Sequence, residues 1–363
     1  MNVSGMLGAD LGMAPLAIAE LEQRGYDAAF SAEINSDPFF PLVLAAEHSK
    51  TIALTTSTSV AFARNPMTMA NLAWDLNQYS RGRFTVGLGS QIKPHITRRF
   101  SMPWSKPAAR MREFIQAMQA IWTCWKTDEK LDFNGEFYQH NLMTPMFTPS
   151  QTTYGAPGIN LAAVGPLMTE VAAEVANGVI AHGFTTPQYL HEVTLPAVQR
   201  GLKKSGRTRQ AFDISVPVMV VTGNTEEAFE QSKTAVKSQL GFYASTPAYK
   251  PVLEVHGWGE LQIEANRLTR EGRWHEMGTL ITEDILNTFA LVSEEIEQVP
   301  ALLNERYGGL ADTWMCTVET GDRDQQKHLI AAIQQQSALP NNEEIKRNEA
   351  ATASKTSGKG SKP

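Results

Sequence analysis

Three ionisable residues occupy positions where the sequence can support acid–base chemistry. Glu33 and His182 each end a short apolar run that predicts a β-strand, and His95 lies in the loop after another such run. In a parallel α/β barrel, the carboxyl ends of the strands and the loops that follow them form the active site. We therefore predict Glu33 as the first candidate for proton transfer, with His182 and His95 as second choices.

Each of these residues also has a structural interpretation. Glu33 can form an ion pair with a loop arginine such as Arg64. A lone histidine is more often a structural hydrogen-bonding group than an acid or a base. The sequence leaves both interpretations open.

A second group at predicted strand ends consists mostly of small residues. Missing side chains let a flat aromatic ring approach the backbone, and the amides at the start of a helix suit a phosphate. Small residues would also fit a barrel mouth that is merely crowded. The predicted cofactor-binding residues are Ser59, Val60, Gly87, Gly89, Ser90, Ala162, Ala163, Val164 and Gly165.

Several common catalytic motifs are missing from the sequence. Gly87-Leu88-Gly89 begins like a dinucleotide fingerprint, but the third glycine is absent and a long loop follows instead of a helix. A Rossmann site is therefore not predicted. The chain has no Walker loop, no HExxH and no GxSxG, so we predict neither a metal site nor a serine nucleophile.

The predicted elements that position these residues are repeated βα units. Short apolar runs alternate with amphipathic stretches, which is typical of a parallel sheet. Eight strands in this order favour a closed (β/α)8 TIM barrel over an open doubly wound sheet. The predicted strands are 2–7, 26–32, 52–60, 83–88, 159–164, 179–182, 214–221 and 313–318, and the clearest helix is 106–125.

Some segments depart from this alternation. Residues 131–142 predict a hairpin with a turn at Asn134-Gly135, and residues 243–274 predict an insertion. Asn224, Thr282 and Ser293 stand where helix N-caps are expected. We predict a barrel domain over 1–338 and a disordered polar tail over 339–363, because the tail has no aromatic residues.

Composition excludes other classes of protein. The chain of 363 residues has a formal net charge of -6, which disfavours a nucleic-acid partner. Its two cysteines are far apart and predict no disulfide framework. We expect no signal peptide and no membrane span, hence a cytoplasmic protein with a small-molecule substrate.

Longer stretches resemble the luciferase-like monooxygenases. FSAEIN resembles the end of that superfamily's second strand, and TTSTSVAFARNPMTMANLAWDLNQYSRGRFTVGLGS its third strand, turn, helix and fourth strand. INLAAVGP is similar to its fifth-strand contact with phosphate and ring. The segment GLGSQIKPHITRRF, together with FNGEFYQHNLMTPMF, is similar to a branch of probable F420-dependent oxidoreductases.

The resemblance implies hydride transfer between coenzyme F420 and an organic substrate. The alternatives are an FMN-dependent monooxygenase supplied by a partner flavin reductase, and a non-catalytic flavin-binding protein; a homodimer also stays open. The resemblance further implies a cis peptide bond at Ser59-Val60 behind the cofactor ring. It also implies that the cofactor phosphate lies near Ala163 to Gly165. Related sugar-phosphate dehydrogenases carry Asp and His at positions 33 and 34 and Glu at 92. Here these are Glu33, Ile34 and Ile92, which argues against glucose-6-phosphate as substrate.

Overall fold

A closed parallel barrel forms the body of the protein in the computed structural model, which describes residues 1–150, 153–315 and 322–336. The main sheet has the order β3-β2-β1-β13-β10-β9-β8-β5-β4, and an additional β3–β5 pairing closes it. The predicted eight-stranded barrel is thereby confirmed, with β4 as a short ninth segment. In chain order the described strands are β1 (Asn2–Met6), β2 (Ala28–Ser31), β3 (Ala53–Thr56), β4 (Ser59–Val60), β5 (Phe84–Gly89), β6 (Phe133–Asn134), β7 (Gln139–His140), β8 (Gly158–Ala163), β9 (Gly178–Ala181), β10 (Asp213–Pro217), β11 (Met219–Val221), β12 (Ala290–Val292) and β13 (Thr313–Met315).

Helices surround this barrel and follow the amphipathic stretches of the sequence. The apolar stripe of the 106–125 segment is buried along its whole length, from Met111 to Trp125, so it packs against the core. Asn65 caps the helix that follows β4, because its side chain accepts from the Thr68 N–H. The described helices are α1 (Ala14–Gln23), α2 (Phe39–Glu47), α3 (Pro66–Tyr79), α4 (Pro107–Thr127), α5 (Pro166–Val175), α6 (Pro187–Tyr189), α7 (Leu195–Ser205), α8 (Glu226–Ala244), α9 (Lys250–Glu254), α10 (Gly259–Arg270), α11 (Glu283–Phe289), α12 (Val299–Tyr307) and α13 (Arg323–Gln336).

Two predicted strands are each divided in the structure. The predicted strand 52–60 becomes β3 and β4, separated by Ser57 and Thr58. The predicted strand 214–221 becomes β10 and β11, and β11 leaves the barrel to pair with β12. Periodicity alone does not mark these breaks, because the residues on both sides of each break remain apolar or β-branched.

Local details at turns and caps also differ from the predictions. The hairpin β6–β7 exists, but its turn spans 135–138 and not the predicted Asn134-Gly135 pair. The Glu113 carboxylate stabilises this turn, since it accepts from the N–H groups of Glu136, Phe137 and Tyr138. Thr225, not Asn224, caps α8. Thr282 is confirmed as the N-cap of α11.

Ser293 does not cap a helix, since its hydroxyl donates to the Glu295 carbonyl. The tail 339–363 and the end of the last predicted strand, 316–318, lie outside the described residues, so the division at residue 338 stays a prediction.

The predicted insertion, 243–274, contributes α9 and α10 to a second apolar cluster beside the barrel core, and the flanking elements α8, α11, β11 and β12 complete this cluster. Helices α8 to α11 and strands β11 and β12 bury residues such as Leu240, Leu253 and Leu286 against Phe184 and Tyr189 of the barrel. Val164 and Met219, at or just after the carboxyl ends of β8 and β10, pack against the same cluster. The insertion therefore covers one side of the barrel mouth.

Candidate active site at the barrel mouth

Neighbouring strands bring most of the predicted site residues to one edge of the barrel. Val60 is in register with Gly89, and Leu88 with Leu161. Ala163 is in register with Ala181 of the next strand. Because all these strands are parallel, their carboxyl ends and the residues that follow them surround a common mouth.

Glu33 is held by its neighbours at this edge. Its Oε2 accepts from the Val60 N–H at 2.7 Å and from Arg64 Nη1 at 2.6 Å. Arg64 also binds Asp37 through Nη2 at 2.9 Å. The Glu33 side chain is only 9% exposed. The ion pair with Arg64 that the sequence left open is present, and the catalytic role of Glu33 stays a prediction.

The cis peptide bond lies two residues before the expected position. The structure places it at Ser57-Thr58, so the prediction of a cis bond at Ser59-Val60 is wrong. Ser59 and Val60 are in regular ladder pairing with β5, and the Ser59 hydroxyl donates to the Gly87 carbonyl at 3.0 Å. The irregular backbone therefore falls in the gap between β3 and β4, and Thr58 is a mouth residue that the sequence analysis missed.

The absence of a side chain matters for different reasons at the two strand-end glycines, Gly87 and Gly89. A Cβ on Gly87 would lie 1.7 Å from the Thr56 carbonyl oxygen, so Gly87 is required for packing between strands. A Cβ on Gly89 would lie 2.5 Å from Thr58 Oγ1 and 3.9 Å from the Ala162 Cβ. Gly87 therefore supports the barrel itself, whereas Gly89 borders the mouth. Ser90, directly after Gly89, donates from its hydroxyl to the Gln91 carbonyl.

The end of β8 leads into a helix with an open N terminus. Gly165 is the N-cap of α5, its φ of -83 and ψ of 159 are extended, and no side chain caps the helix. A Cβ on Gly165 would meet no atom within 4 Å. Ala162 and Val164 are partly exposed beside it, and Ala163 is 8% exposed. Pro166 has no N–H and the Thr169 N–H donates to the Gly165 carbonyl, so the amides of Leu167 and Met168 are the ones that an anion could use here.

His182 follows β9 and contacts the insertion. Its Nδ1 accepts from the Phe184 N–H at 2.9 Å, and its Nε2 lies 3.1 Å from the Tyr249 hydroxyl. Burial lowers the pKa of His182 to about 4, so the imidazole is neutral at physiological pH. Tyr249 comes from the insertion, and sequence reasoning gave no signal that it reaches the mouth.

His95 forms no described hydrogen bond with Glu33 or His182. It is exposed in the π-helical turn His95–Arg99, which the buried Ile96 anchors. The loop is tied to the end of β2 by Arg99, whose Nη2 donates to the Ile34 carbonyl at 2.9 Å. A catalytic role for His95 stays a prediction.

The buried carboxyl group of Asp213 lies in a cavity among the first residues of the strands. This cavity of about 330 Å³ is lined by Ser4, Asn160 and Asp213, among others. Burial raises the pKa of Asp213, although Ser215 and Thr313 donate to its oxygens at 2.6 and 2.8 Å. Because these residues stand on the early parts of their strands, Asp213 is remote from the mouth.

The described residues contain neither a metal-binding cluster nor a membrane-spanning helix. Within 1–150, 153–315 and 322–336, no group of three or more His, Cys, Asp and Glu side chains is arranged to hold a metal ion. The helices of the same segments are too short or too polar to cross a lipid bilayer.

Comparison with known proteins agrees with this architecture. A family model described as luciferase-like monooxygenase matches residues 14–313. An uncharacterised protein of Mycobacterium tuberculosis is 48% identical over 312 residues, which are 86% of this chain and 92% of that protein. A putative coenzyme F420-dependent oxidoreductase of the same organism is 26% identical over 87% of this chain and 93% of its own length.

A solved structure shows the same fold. The F420-dependent tetrahydromethanopterin reductase from Methanopyrus kandleri superposes with a TM-score of 0.71 at 19% identity. The match covers 91% of this chain and 96% of the reductase.

Proposed function

The chain belongs to the luciferase-like monooxygenase family, and from this premise we propose that it is an oxidoreductase that uses coenzyme F420. The observation that carries the proposal is the open N terminus of α5 beside the small residues of the mouth. It offers an anion site next to strand ends whose small side chains leave the backbone accessible to a flat ring. The similarity to a putative F420-dependent oxidoreductase supports F420 as the cofactor.

The residues present fit such a cofactor. The amides after Gly165 would hold its phosphate, since a helix N terminus favours an anion. Gly89, Ala162 and Thr58 would border the ring, with Ser59 and Val60 beneath. A bound deazaflavin supplies hydride transfer, and the protein binds it, orients it and keeps water out. A small organic molecule is the proposed substrate.

The proposed proton-transfer residues are the three candidates predicted from the sequence. Glu33 is held by Arg64 and the Val60 N–H, but no partner of its Oε1 is described. We keep Glu33 as the proposed proton-transfer group, with His182 and His95 behind it. A homodimer and a partner flavin reductase stay predictions as well.

Two variants of one residue test the phosphate position. Gly165→Asp and Gly165→Asn both place a capping side chain at the N-cap, but only the aspartate repels a phosphate. We expect Gly165→Asp to weaken F420 binding at least tenfold, about 1.4 kcal/mol, and Gly165→Asn to weaken it less. Fluorescence quenching measures both.

FMN is titrated in parallel because it is the alternative cofactor expected from the sequence. Tighter binding of FMN than of F420 to the parent protein would replace F420 in the proposal. Equal F420 affinity of the parent and Gly165→Asp would show that the phosphate lies elsewhere.

A further inference from the structure

The hydrogen bonds of His182 fix which ring nitrogen carries its proton. A backbone N–H can only donate, so the Phe184 N–H makes Nδ1 an acceptor. In a neutral imidazole the proton then lies on Nε2. Nε2–H therefore donates to the Tyr249 hydroxyl oxygen, 3.1 Å away. The direction of this short chain follows from the backbone, independently of any choice of tautomer.

The hydroxyl proton of Tyr249 consequently points to another acceptor. Its oxygen receives the His182 proton, and no described residue accepts from Tyr249 among the hydrogen bonds of 1–150, 153–315 and 322–336. Burial raises the pKa of Tyr249 to about 12, with the nearby Tyr243 contributing. The phenol therefore keeps its proton and stays a donor.

The position of Tyr249 makes this donor relevant to the mouth. Tyr249 packs in the second apolar cluster with Val164, which follows β8, and Met219, which follows β10. Its ring lies 4.4 Å from the ring of His182, which follows β9. The phenol therefore belongs to the cluster against which residues from three neighbouring strand ends pack, on the side of the mouth that the insertion covers.

We propose that Tyr249 donates a hydrogen bond to an oxygen atom of the substrate, and that His182 is the positioning residue that orients the phenol. This inference rests on the proposed function. The substrate class that it selects is a carbonyl compound, or the alcohol formed from it. An acceptor oxygen satisfies the donor, whereas a hydrocarbon at the same place would leave a partly buried hydroxyl unpaired.

The chemistry of carbonyl reduction gives Tyr249 its function. A reduced deazaflavin bound at the mouth would supply a hydride to the carbonyl carbon and would itself be oxidised, and the carbonyl oxygen would take up the π electron pair. The proton that completes the alcohol would come from solvent through Glu33, the proposed proton-transfer group. Tyr249 stabilises the negative charge on oxygen without losing its own proton, as donors in oxyanion holes do. The His182 N–H strengthens this donor because linked hydrogen bonds polarise one another.

We call the chain of hydrogen bonds from the Phe184 N–H through His182 to Tyr249 the relay. It is tested first in the free protein by ¹⁵N NMR of the His182 imidazole. We expect His182 as the neutral Nε2–H tautomer, and Tyr249→Phe should shift its Nε2 resonance but leave Nδ1 in place. Tyr243→Phe is the matched control, because Tyr243 also contacts the His182 ring while its hydroxyl accepts from Gln239. An Nδ1–H tautomer, or equal spectra for Tyr249→Phe and the parent, would overturn the relay.

The substrate contact is tested by oxidation of reduced F420 with acetone, cyclohexanone and benzaldehyde as probes. We expect Tyr249→Phe to lower kcat/KM at least tenfold, mainly through kcat, with F420 affinity within twofold of the parent. Tyr243→Phe should behave like the parent. His182→Gln, which retains an N–H donor, should lose less activity than His182→Leu.

The outcomes separate this inference from the proposed function. Parent-like rates for Tyr249→Phe overturn the inference. A parent protein that binds F420 but reduces none of the three probes overturns the carbonyl class. Failure of the parent to bind F420 overturns the proposed function, while the NMR experiment still decides the relay.

Discussion

The two sides of the barrel mouth differ in how their polar groups are used. On the β3–β5 side, the Glu33 carboxylate accepts from Arg64 and from the Val60 N–H, and the Gly87 carbonyl accepts from both Ser59 and Thr56. On the β8–β10 side, the first turn of α5 has no side-chain cap, and no described residue is an assigned acceptor for the Tyr249 hydroxyl.

The difference indicates where a ligand gains most. A ligand that binds the β3–β5 side must compete with hydrogen bonds already formed, whereas the β8–β10 side offers donors at no such cost. We therefore expect substitutions on the first side to change stability, and substitutions on the second side to change binding.

The largest loss of stability is expected from a substitution at Gly87. Its missing Cβ would lie 1.7 Å from a backbone oxygen of β3, so Gly87→Ala must separate two paired strands. We expect a loss of at least ~3 kcal/mol in the free energy of unfolding, or no folded protein. Denaturant titration measures the loss, with Gly165→Ala as the control because that position is open. A loss below 1 kcal/mol, on the order of an ordinary surface change, would contradict the packing role of Gly87.

The second effect concerns the Glu33–Arg64 pair. Removing one partner of a largely buried ion pair leaves the other charge uncompensated. We expect Arg64→Met to cost about 2 kcal/mol, and Glu33→Gln to add little in that background. Arg98→Met is the control, since Arg98 is exposed.

A double-mutant cycle from denaturant titrations gives the coupling energy. Additive losses would mean that the pair does not stabilise the fold, and Glu33 would then be freer for proton transfer than its contacts indicate.

These contacts also show what could be predicted from sequence. The barrel follows from periodicity, since strands such as 83–88 and helices such as 106–125 carry their patterns locally. The strand-end residues follow because parallel strands share an edge. The break at Ser57-Thr58 does not follow, because it lies inside the run TTSTS at 55–59, where no Gly, Pro, Asn or Asp marks a turn. Tyr249 could not be found either, because it reaches the mouth from 67 residues beyond His182 through packing of the insertion.

A third, smaller effect is expected far from both sides of the mouth, at Glu22. Burial raises its pKa, but the N–H groups of Lys50, Thr51 and Ile52 donate to Oε1 and lower the pKa to about 2. Because the folded-state pKa is depressed from 4.5, the stabilisation is present above about pH 4.5 and is lost as the pH falls towards 2.

Glu22→Gln should cost about 1 kcal/mol at neutral pH, since solvent still screens this partly exposed group. The difference from the parent should shrink in titrations carried out at decreasing pH below 5. F420 affinity should not change, which separates a stability effect from a mouth effect. A pH-independent difference would mean that the carboxylate charge is not what holds the loop before β3.

The smallest effect is expected on the open side, where a substitution should stabilise the protein. Gly165 has the extended backbone of an N-cap and empty space around its Cα. Asparagine in this conformation accepts from the N–H groups of the first turn of α5, so Gly165→Asn should gain a few tenths of a kcal/mol. Thermal unfolding of the free protein measures the gain. With saturating F420 the gain should disappear, because the phosphate and the new side chain would use the same amides. A gain that persists in the presence of F420 would place the phosphate away from α5 and remove the distinction between the two sides.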